Sequence, residues 1–272
     1  MIVTLIPYSV RELSPITKVT FVPVELLSLE SIRIAASKIT DLNVKIDTLI
    51  ANAAVMGVRD YTPSKDNIES QFAINYLSHF LLINLLLPSL SPNARIISVS
   101  SEGHAVESLQ VPSSPASTWT TESVRTSINF NDGKDYNLWM AYSQSKGALV
   151  LHAIAMTSRL ASSSKYKGIT INSLHPGQIM STGLSSHLND DDIAGIGPMF
   201  AKINRPAPGL KTLEEGMSTG LTAMLDPRLQ GVSGKYLSDC GVADQAEWCK
   251  DAQTAEKLWR ISELLVEEQF EF

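Results

Sequence analysis

Cysteine is scarce in this chain, and its placement excludes two kinds of site. Cys240 and Cys249 are the only two among 272 residues, and neither belongs to a Cys-x-x-Cys motif. The histidines also lie apart, without the short regular spacing of metal ligands, so no metal site is expected. Two isolated cysteines give no disulfide framework, which favours a reducing compartment and a cytoplasmic location.

Positive charge and long apolar runs are scarce as well. The chain has 22 Lys and Arg against 28 Asp and Glu, a net charge of −6 without a basic stripe, which argues against nucleic-acid binding. The longest apolar run, FLLINLLLPSL at 80–90, is interrupted by Pro88 and falls short of the ~18 residues that a membrane span requires. The start MIVTLIPYSVREL lacks a basic region, so neither a signal peptide nor a membrane span is expected.

Glycine is missing from the beginning of the chain, where the first one is Gly57. Nucleotide phosphates are often held by a glycine-rich turn that follows a first strand and opens a helix. Such a turn is therefore excluded from residues 1–56.

What the chain does contain is an alternation of short β-branched runs and longer helical patterns. This alternation predicts one α/β domain over residues 1–272, with a parallel sheet covered by helices. Strands are predicted at 19–24, 47–53, 94–101, 168–177 and 234–239, and helices at about 28–39, 66–87, 142–162, 212–225 and 251–268. Residues 102–137 are predicted to form loops, and residues 181–211 an irregular excursion.

Tyr142 and Lys146 lie four residues apart, so on a helix their side chains share one face. A phenol has an ordinary pKa of about 10, and a nearby cation lowers it. The pair thus predicts a general acid/base that works near neutral pH. The spacing alone is weak support, because it also arises by chance.

Five motifs follow one another in a fixed order and strengthen this interpretation. They are ANAA at 51–54, Asn75 inside a helix, SVSS at 98–101, YSQSK at 142–146 and HPGQIMST at 175–182. In this order they resemble the short-chain dehydrogenase/reductase family, and within it the retinol-dehydrogenase-like group. The resemblance runs from about Lys18 to the C-terminus. It implies a Rossmann-like doubly wound parallel sheet with strand order 3-2-1-4-5-6-7.

The resemblance also implies catalytic roles. Tyr142 would be the acid/base, and Lys146 would lower its pKa and bind the nicotinamide ribose. Ser101 would stabilise the substrate oxygen, with Ser100 structural, and Asn75 would hold a water that relays protons to Lys146. The absence of a G-x-S-x-G motif excludes a hydrolase nucleophile at Ser101.

A nicotinamide cofactor, NADP or NAD with NADP favoured, is implied in the same way. Asn52 would line the cofactor cleft, Pro176 and Gly177 would shape a turn beside the nicotinamide, and Ile179 and Thr182 would contact the carboxamide or a phosphate. Glu25 stands where the family usually has Asp near the adenine. Tyr142 and Lys146 complete the predicted cofactor site.

The glycine-rich turn of the family is the missing part, and the expected fold is therefore N-terminally truncated. Its first strand lies centrally in the sheet, so its loss would leave a vacancy beside the strand at 47–53. The run MIVTLI has the composition of a strand but cannot replace a whole βαβ unit. Two explanations stay open: the recorded start lacks an upstream segment, or the protein is a degenerate relative.

The expected function is an NAD(P)-dependent exchange between an alcohol and a carbonyl. The apolar segment IAGIGPMFAKI at 193–203 suggests a hydrophobic or medium-sized small-molecule substrate. Trp139 could line a substrate pocket or simply pack. One alternative is a non-catalytic binding or scaffold protein. Another is an epimerase or a dehydratase, since enzymes of both kinds also use Tyr and Lys in this arrangement. A homodimer through the helices at 66–87 and 141–162 is expected by analogy.

Overall fold

A computed structural model of the chain describes residues 12, 14, 16–106, 108–179, 181–185, 188–201 and 209–272, apart from the side chains of Met199 and Phe200. The run MIVTLI, His187 and residues 202–203 of the apolar segment lie outside them. The helices are α1 (Leu29–Thr40), α2 (Ser70–Phe72, Ala73–Leu77 and Ser78–Leu86 in succession), α3 (Thr121–Ile128), α4 (Leu138–Ser162), α5 (Asp190–Ala201), α6 (Leu213–Leu225) and α7 (Ala252–Val266). The strands are β1 (Ile46–Ala51), β2 (Leu90–Val99), β3 (Thr170–Leu174), β4 (Tyr236–Ser238) and β5 (Gly241–Ala243).

The strands form one sheet in the order β1-β2-β3-β4-β5. The first four are parallel, and β5 returns antiparallel to β4. Parallel strands need crossover connections, which the helices between them supply. The predicted parallel α/β architecture is confirmed.

Neighbouring residues of β2 show that helices cover both faces of this sheet. Ile96 belongs to the larger apolar cluster, which includes buried residues of α1, α2, α4 and α7. Ile97 points the other way and packs with Leu174 and Ala223, the latter on α6. Side chains alternate between the faces of a strand, so two buried isoleucines in a row require cover on both sides.

Polar side chains cap the N-termini of three helices. The Ser28 hydroxyl accepts a hydrogen bond from Ser31 N at the start of α1. Thr212 and Glu215 form the predicted capping box at the start of α6. Asn137 caps α4 by accepting from Trp139 N and Met140 N. Each cap satisfies amide groups that have no partner inside the helix.

Helix α2 lies in the core and contains a π-helical turn over Ala73–Leu77. The stretch Ser70–Ser89 is long and apolar enough to cross a membrane, and it is the one such helix in the described part of the chain. Of its most apolar 18-residue window, 78% is buried inside the fold. A core helix passes the same test of length and composition.

The C-terminal helix α7 and the residues after it cover α2 and α4. The Phe80 ring of α2 lies 5.0 Å from that of Trp259 and 5.6 Å from that of Phe270, between centroids. On α4, Arg159 stacks over Trp259 at 3.9 Å and pairs with Glu256. These contacts occupy part of the apolar faces through which a homodimer was expected, and the dimer stays a prediction.

Four expectations about local structure were wrong. Residues 19–24 are not a strand, because a strand needs a hydrogen-bonding neighbour and none pairs with them in the described fold. The loop predicted at 102–137 contains α3, whose Val124 and Ile128 are buried one helical turn apart. The excursion predicted at 181–211 contains α5, and a further strand, β5, follows the last one predicted.

Candidate active site

The predicted site residues gather where three neighbouring strands end. Asn52 directly follows β1, Ser101 comes two residues after β2, and Pro176 comes two residues after β3. Since these strands are parallel, their carboxyl ends share one edge of the sheet. Open α/β sheets bind their ligands at this edge.

Ser101 and Tyr142 meet at this edge. Ser101 opens a short 3-10 turn, Glu102–Ala105, and its Oγ accepts a hydrogen bond from Gly103 N at 3.1 Å. A Cβ atom placed on Gly103 would lie 3.2 Å from Cε1 of Tyr142 and 3.4 Å from Oγ of Ser101. The Ser101 side chain is also close enough to the phenol to lower the pKa of Tyr142, against the larger effect of burial. The serine and the tyrosine therefore face one space, as the sequence predicts.

Lys146 lies one helical turn beyond Tyr142 and is also buried. Its Nζ is 5.8 Å from the centroid of the Tyr142 ring and donates to the Val99 carbonyl at 2.9 Å. Burial lowers the pKa of Lys146 to about 7. The Lys146 carbonyl in turn accepts from Ser100 Oγ at 2.7 Å, which gives Ser100 a structural role and fixes α4 to the end of β2.

The expected lowering of the phenol pKa is wrong for this structure. Burial raises the pKa of Tyr142 to about 12, and the neighbouring Ser101 side chain only partly opposes that rise. Lys146 directs its amine to the Val99 carbonyl, and its own buried charge is disfavoured. Tyr142 is therefore a protonated phenol at neutral pH.

Asn75 lies within the π turn of α2, and its side chain links three segments of the site. Its Oδ1 accepts from Val55 N at 2.8 Å, and its Nδ2 donates to Val55 O and to Ser145 Oγ, both at 2.9 Å. Ser145 Oγ donates to the Tyr142 carbonyl at 2.8 Å. Asn75 thus ties the loop after β1 to the tyrosine helix, and the water relay stays a prediction.

Asn52 and Glu25 are the predicted cofactor residues nearest the beginning of the chain. Asn52 is exposed at the carboxyl end of β1, a position open to a ligand. Glu25 follows residues 19–24 and pairs with Lys65 at 2.7 Å on the surface. Its contact with an adenine stays a prediction.

The turn after β3 requires its glycine. Gly177 has a φ of +96°, and a Cβ there would lie 2.3 Å from Cδ of Lys211. Lys211 forms an ion pair with Asp239. After the turn, the Ile179 side chain packs against α6, where a Cβ on Gly216 would lie 2.0 Å from its Cδ1.

Thr182 follows the same turn and remains attached to it. Its Oγ1 donates to the Ile179 carbonyl at 3.3 Å. Both residues therefore lie on the segment that leaves the sheet edge beside Pro176. Their contacts with a carboxamide or a phosphate stay predictions.

Trp139 lies one helical turn before Tyr142, and its indole packs against two neighbouring segments. A Cβ on Gly57 would lie 3.3 Å from Cη2 of Trp139 and 2.8 Å from Cδ2 of Leu188. A Cβ on Gly195 of α5 would lie 3.0 Å from Nε1 of Trp139. The indole thus packs between the loop after β1 and α5, as the second interpretation expects, and a role in lining a substrate pocket stays a prediction.

Sequence reasoning missed the polar residues that hold the reacting groups. Ser145 links Asn75 to the Tyr142 backbone. His104, three residues after Ser101, bonds the Ser101 carbonyl. Its position three residues after Ser101 could have indicated a role at the serine. The histidines were considered only as metal ligands, for which their spacing is unsuitable. Within the described residues, no group of three or more His, Cys, Asp or Glu could hold a metal ion.

Proteins of similar sequence include short-chain dehydrogenases and retinol dehydrogenases. A family model described as short chain dehydrogenase matches residues 9–129. Short-chain dehydrogenase TIC 32 B, chloroplastic, of Brassica napus is 36% identical over 260 residues, which cover 95% of this chain and 75% of that protein. Retinol dehydrogenase 14 of Mus musculus is 33% identical over 244 residues, covering 89% of this chain and 65% of its relative.

Solved structures agree on the fold. NADPH-bound carbonyl reductase from chicken fatty liver matches with a TM-score of 0.54 over 88% of this chain and 81% of that chain. At 18% identity, this likeness supports the architecture alone.

Proposed function

This chain belongs to the short-chain dehydrogenase family, and we propose that it is an NAD(P)-dependent oxidoreductase that interconverts an alcohol and a carbonyl group. The observation that carries the proposal is the meeting of Ser101 and Tyr142 beside buried Lys146 at the ligand edge of the sheet. The family relation includes retinol dehydrogenases, which supports an oxidoreductase role.

The residues present fit the nicotinamide ribose end of the cofactor. Lys146 offers an amine that can donate to ribose hydroxyls, and Asn52 is exposed at the end of β1. We propose NADP as the preferred cofactor, in line with the family resemblance.

The bound cofactor would supply or accept the hydride, and the protein would manage the proton. Ser101 Oγ accepts from Gly103 N and also carries a hydrogen that it can donate. That hydrogen can stabilise charge that develops on a substrate oxygen. Tyr142 can then give its phenolic proton to the same oxygen.

Reduction of a carbonyl is the direction that the protonation state of Tyr142 supports. With a pKa of about 12, the phenol carries the proton that reduction needs at neutral pH. Alcohol oxidation needs the phenolate, which becomes more abundant as the pH rises towards that pKa. We therefore expect the oxidation rate to climb with pH more steeply than the reduction rate.

The substrate is proposed to be hydrophobic or medium-sized. Trp139 lies one helical turn from Tyr142 along α4, and its indole and the Leu188 side chain both approach Gly57. Apolar side chains line most small-molecule pockets, with a few polar groups that set orientation. A cytoplasmic location stays a prediction, and the relative from Brassica napus is named chloroplastic.

The test is the near-ultraviolet absorbance change of NADPH or NADH with a panel of aldehydes and ketones. Tyr142→Phe and Ser101→Ala should each lower kcat/KM by about 100-fold or more, because each removes a proton donor to the substrate oxygen. Tyr166→Phe is the matched control, since Tyr166 is a buried tyrosine that packs near Phe272 instead. Turnover that survives in Tyr142→Phe would contradict the proposed role.

A second candidate, a non-catalytic binding protein, is favoured by one observation: β1 leaves the Ile50 side chain 48% exposed at the edge of the described sheet. Calorimetric titration with NADPH and NADH separates the candidates. Micromolar binding supports the enzyme, whereas a folded chain that binds neither nucleotide supports the second candidate.

A further inference from the structure

His104 occupies a fully buried position between the serine turn and the C-terminal part of the chain. Its Nδ1 lies 2.7 Å from the Ser101 carbonyl oxygen, and its Nε2 lies 3.0 Å from Ala246 N. The imidazole ring also packs against the ring of Tyr236 on β4, with 4.7 Å between centroids. The side chain thus joins the proposed catalytic serine to two distant segments.

The chemistry of these two contacts fixes the tautomer of His104. A backbone N–H can only donate, so Nε2 must accept from Ala246. Nδ1 then carries the proton and donates it to the Ser101 carbonyl, which also accepts from the His104 amide at 3.1 Å. One carbonyl oxygen therefore receives two hydrogen bonds from one residue, and this fixes the direction of the Ser101 peptide group.

That peptide group controls where the serine hydroxyl lies. The turn that Ser101 opens brings Gly103 so near Tyr142 that a Cβ there would lie 3.2 Å from Cε1 of the tyrosine, and Gly103 N donates to Ser101 Oγ. A rotation of the turn would displace both the hydroxyl and its contact with the phenol. Displacements of about 1 Å at reacting groups can lower rates by about 100-fold.

We propose that His104 is a positioning residue that fixes Ser101 against Tyr142 through its Nδ1–H bond to the Ser101 carbonyl. This role rests on the proposed function, since it concerns the serine that stabilises the substrate oxygen. A second contact holds the same turn: Tyr236 donates from its hydroxyl to Glu102 Oε1 at 2.8 Å. The bond from His104 acts on the serine itself, whereas that from Tyr236 acts on the residue after it.

Two substitutions separate the two ends of the imidazole. In His104→Asn, the side-chain amide nitrogen can take the place of Nδ1 and keep the bond to the Ser101 carbonyl. In His104→Gln, the longer side chain can reach Ala246 N but has no donor at the Nδ1 position. We expect His104→Asn to retain kcat within about threefold, and His104→Gln to lose at least about tenfold in kcat with little change in KM.

A role in general packing would give a different pattern. Loss of the contact with Ala246 would then make His104→Asn the more damaged variant, in both stability and kcat. That order, or wild-type kcat in both variants, would overturn the proposal. Rescue by asparagine but not by glutamine would support it.

Two measurements test the positioning role of His104 without an activity assay. In the wild-type chain labelled with ¹⁵N-histidine, the nitrogen shifts should show a protonated Nδ1 and an unprotonated Nε2 for His104. Exchange of the Gly103 amide should accelerate in His104→Gln and stay slow in His104→Asn. A protonated Nε2, or equal exchange in both variants, would overturn the inference even if each variant were less stable. A wild-type chain that gave these results yet had no turnover would contradict the proposed function and leave the positioning of Ser101 supported.

Discussion

Replacing Lys146 with methionine is expected to stabilise the fold while it abolishes activity. Lys146 is only 3% exposed, and burial lowers the pKa of its amine from 10.5 to about 7. At about 1.4 kcal/mol per pH unit, this difference corresponds to a penalty of about 5 kcal/mol for the charged form, or about 4 kcal/mol at pH 7. Methionine has a similar length and carries no charge, so the variant escapes the penalty.

The gain is reduced by the hydrogen bond that is lost. Lys146 Nζ donates to the Val99 carbonyl at 2.9 Å, and a buried carbonyl without this partner costs about 1–2 kcal/mol. The expected net gain in the free energy of unfolding is therefore about 2–3 kcal/mol at pH 7. A residue retained at such a loss of stability is typical of a functional site.

The pH dependence gives the sharper test. Between pH 7 and 10.5 the unfolded chain binds more protons at Lys146 than the folded chain does, so wild-type stability rises with pH in this range relative to the variant. The advantage of Lys146→Met should thus be largest below pH 7 and should fall by about 1.4 kcal/mol for each pH unit above it.

Equilibrium unfolding in urea, followed by tryptophan fluorescence between pH 6.5 and 9.5, measures this difference. Lys167→Met is the matched control, because Lys167 is exposed and its replacement should leave the pH dependence unchanged. A constant difference across the range, or a variant less stable than wild type below pH 7, would refute the reasoning.

Two further predictions concern stability. Burial raises the pKa of Glu69 to about 7, so the cost of its buried charge develops as the pH rises from 4.5 to 7. In urea unfolding, the stability advantage of Glu69→Gln over wild type should therefore be about 2.5 kcal/mol larger at pH 8 than at pH 5, and an equal advantage at both would contradict this. A Cβ on Gly147 would lie 2.1 Å from Cη2 of Trp248, so Gly147→Ala should destabilise by about 1–3 kcal/mol. Gly220→Ala, in a helix with nothing within 4 Å, should stabilise slightly in the same assay, and a neutral Gly147→Ala would contradict the packing argument.

The parts of the fold that follow from local chemistry could be predicted from the sequence. Ser28 and the Thr212–Glu215 box mark helix starts because their side chains accept bonds from the first amides. The buried strands around Ile96 read as apolar runs because both of their faces are covered. These signals depend only on residues close together in the sequence.

The parts that depend on distant partners could not be predicted. Residues 19–24 have the composition of a strand, yet pairing depends on a neighbour that composition does not reveal. The return from β4 to β5 passes through Asp239 and Cys240, both with positive φ, where a glycine or asparagine would have signalled the turn. The π turn around Asn75 likewise has no local signature.

The candidate site was predictable in its membership but not in its electrostatics. The motifs identify Ser101, Tyr142 and Lys146, and the structure brings them together. The pKa of a group depends on how deeply the whole fold buries it, and a four-residue spacing does not predict that depth. Burial therefore reversed the expected direction for the phenol.

A glycine-rich turn of the family would bear on cofactor affinity more than on the arrangement of the reacting groups. Ser101 and Lys146 are fixed by bonds between the end of β2 and α4, chiefly Ser100 Oγ to the Lys146 carbonyl and Lys146 Nζ to the Val99 carbonyl. None of these bonds involves the outer edge of β1, where the first βαβ unit of the family would pair. A polypeptide that supplied this unit would add a phosphate site to a reacting centre whose geometry is already set.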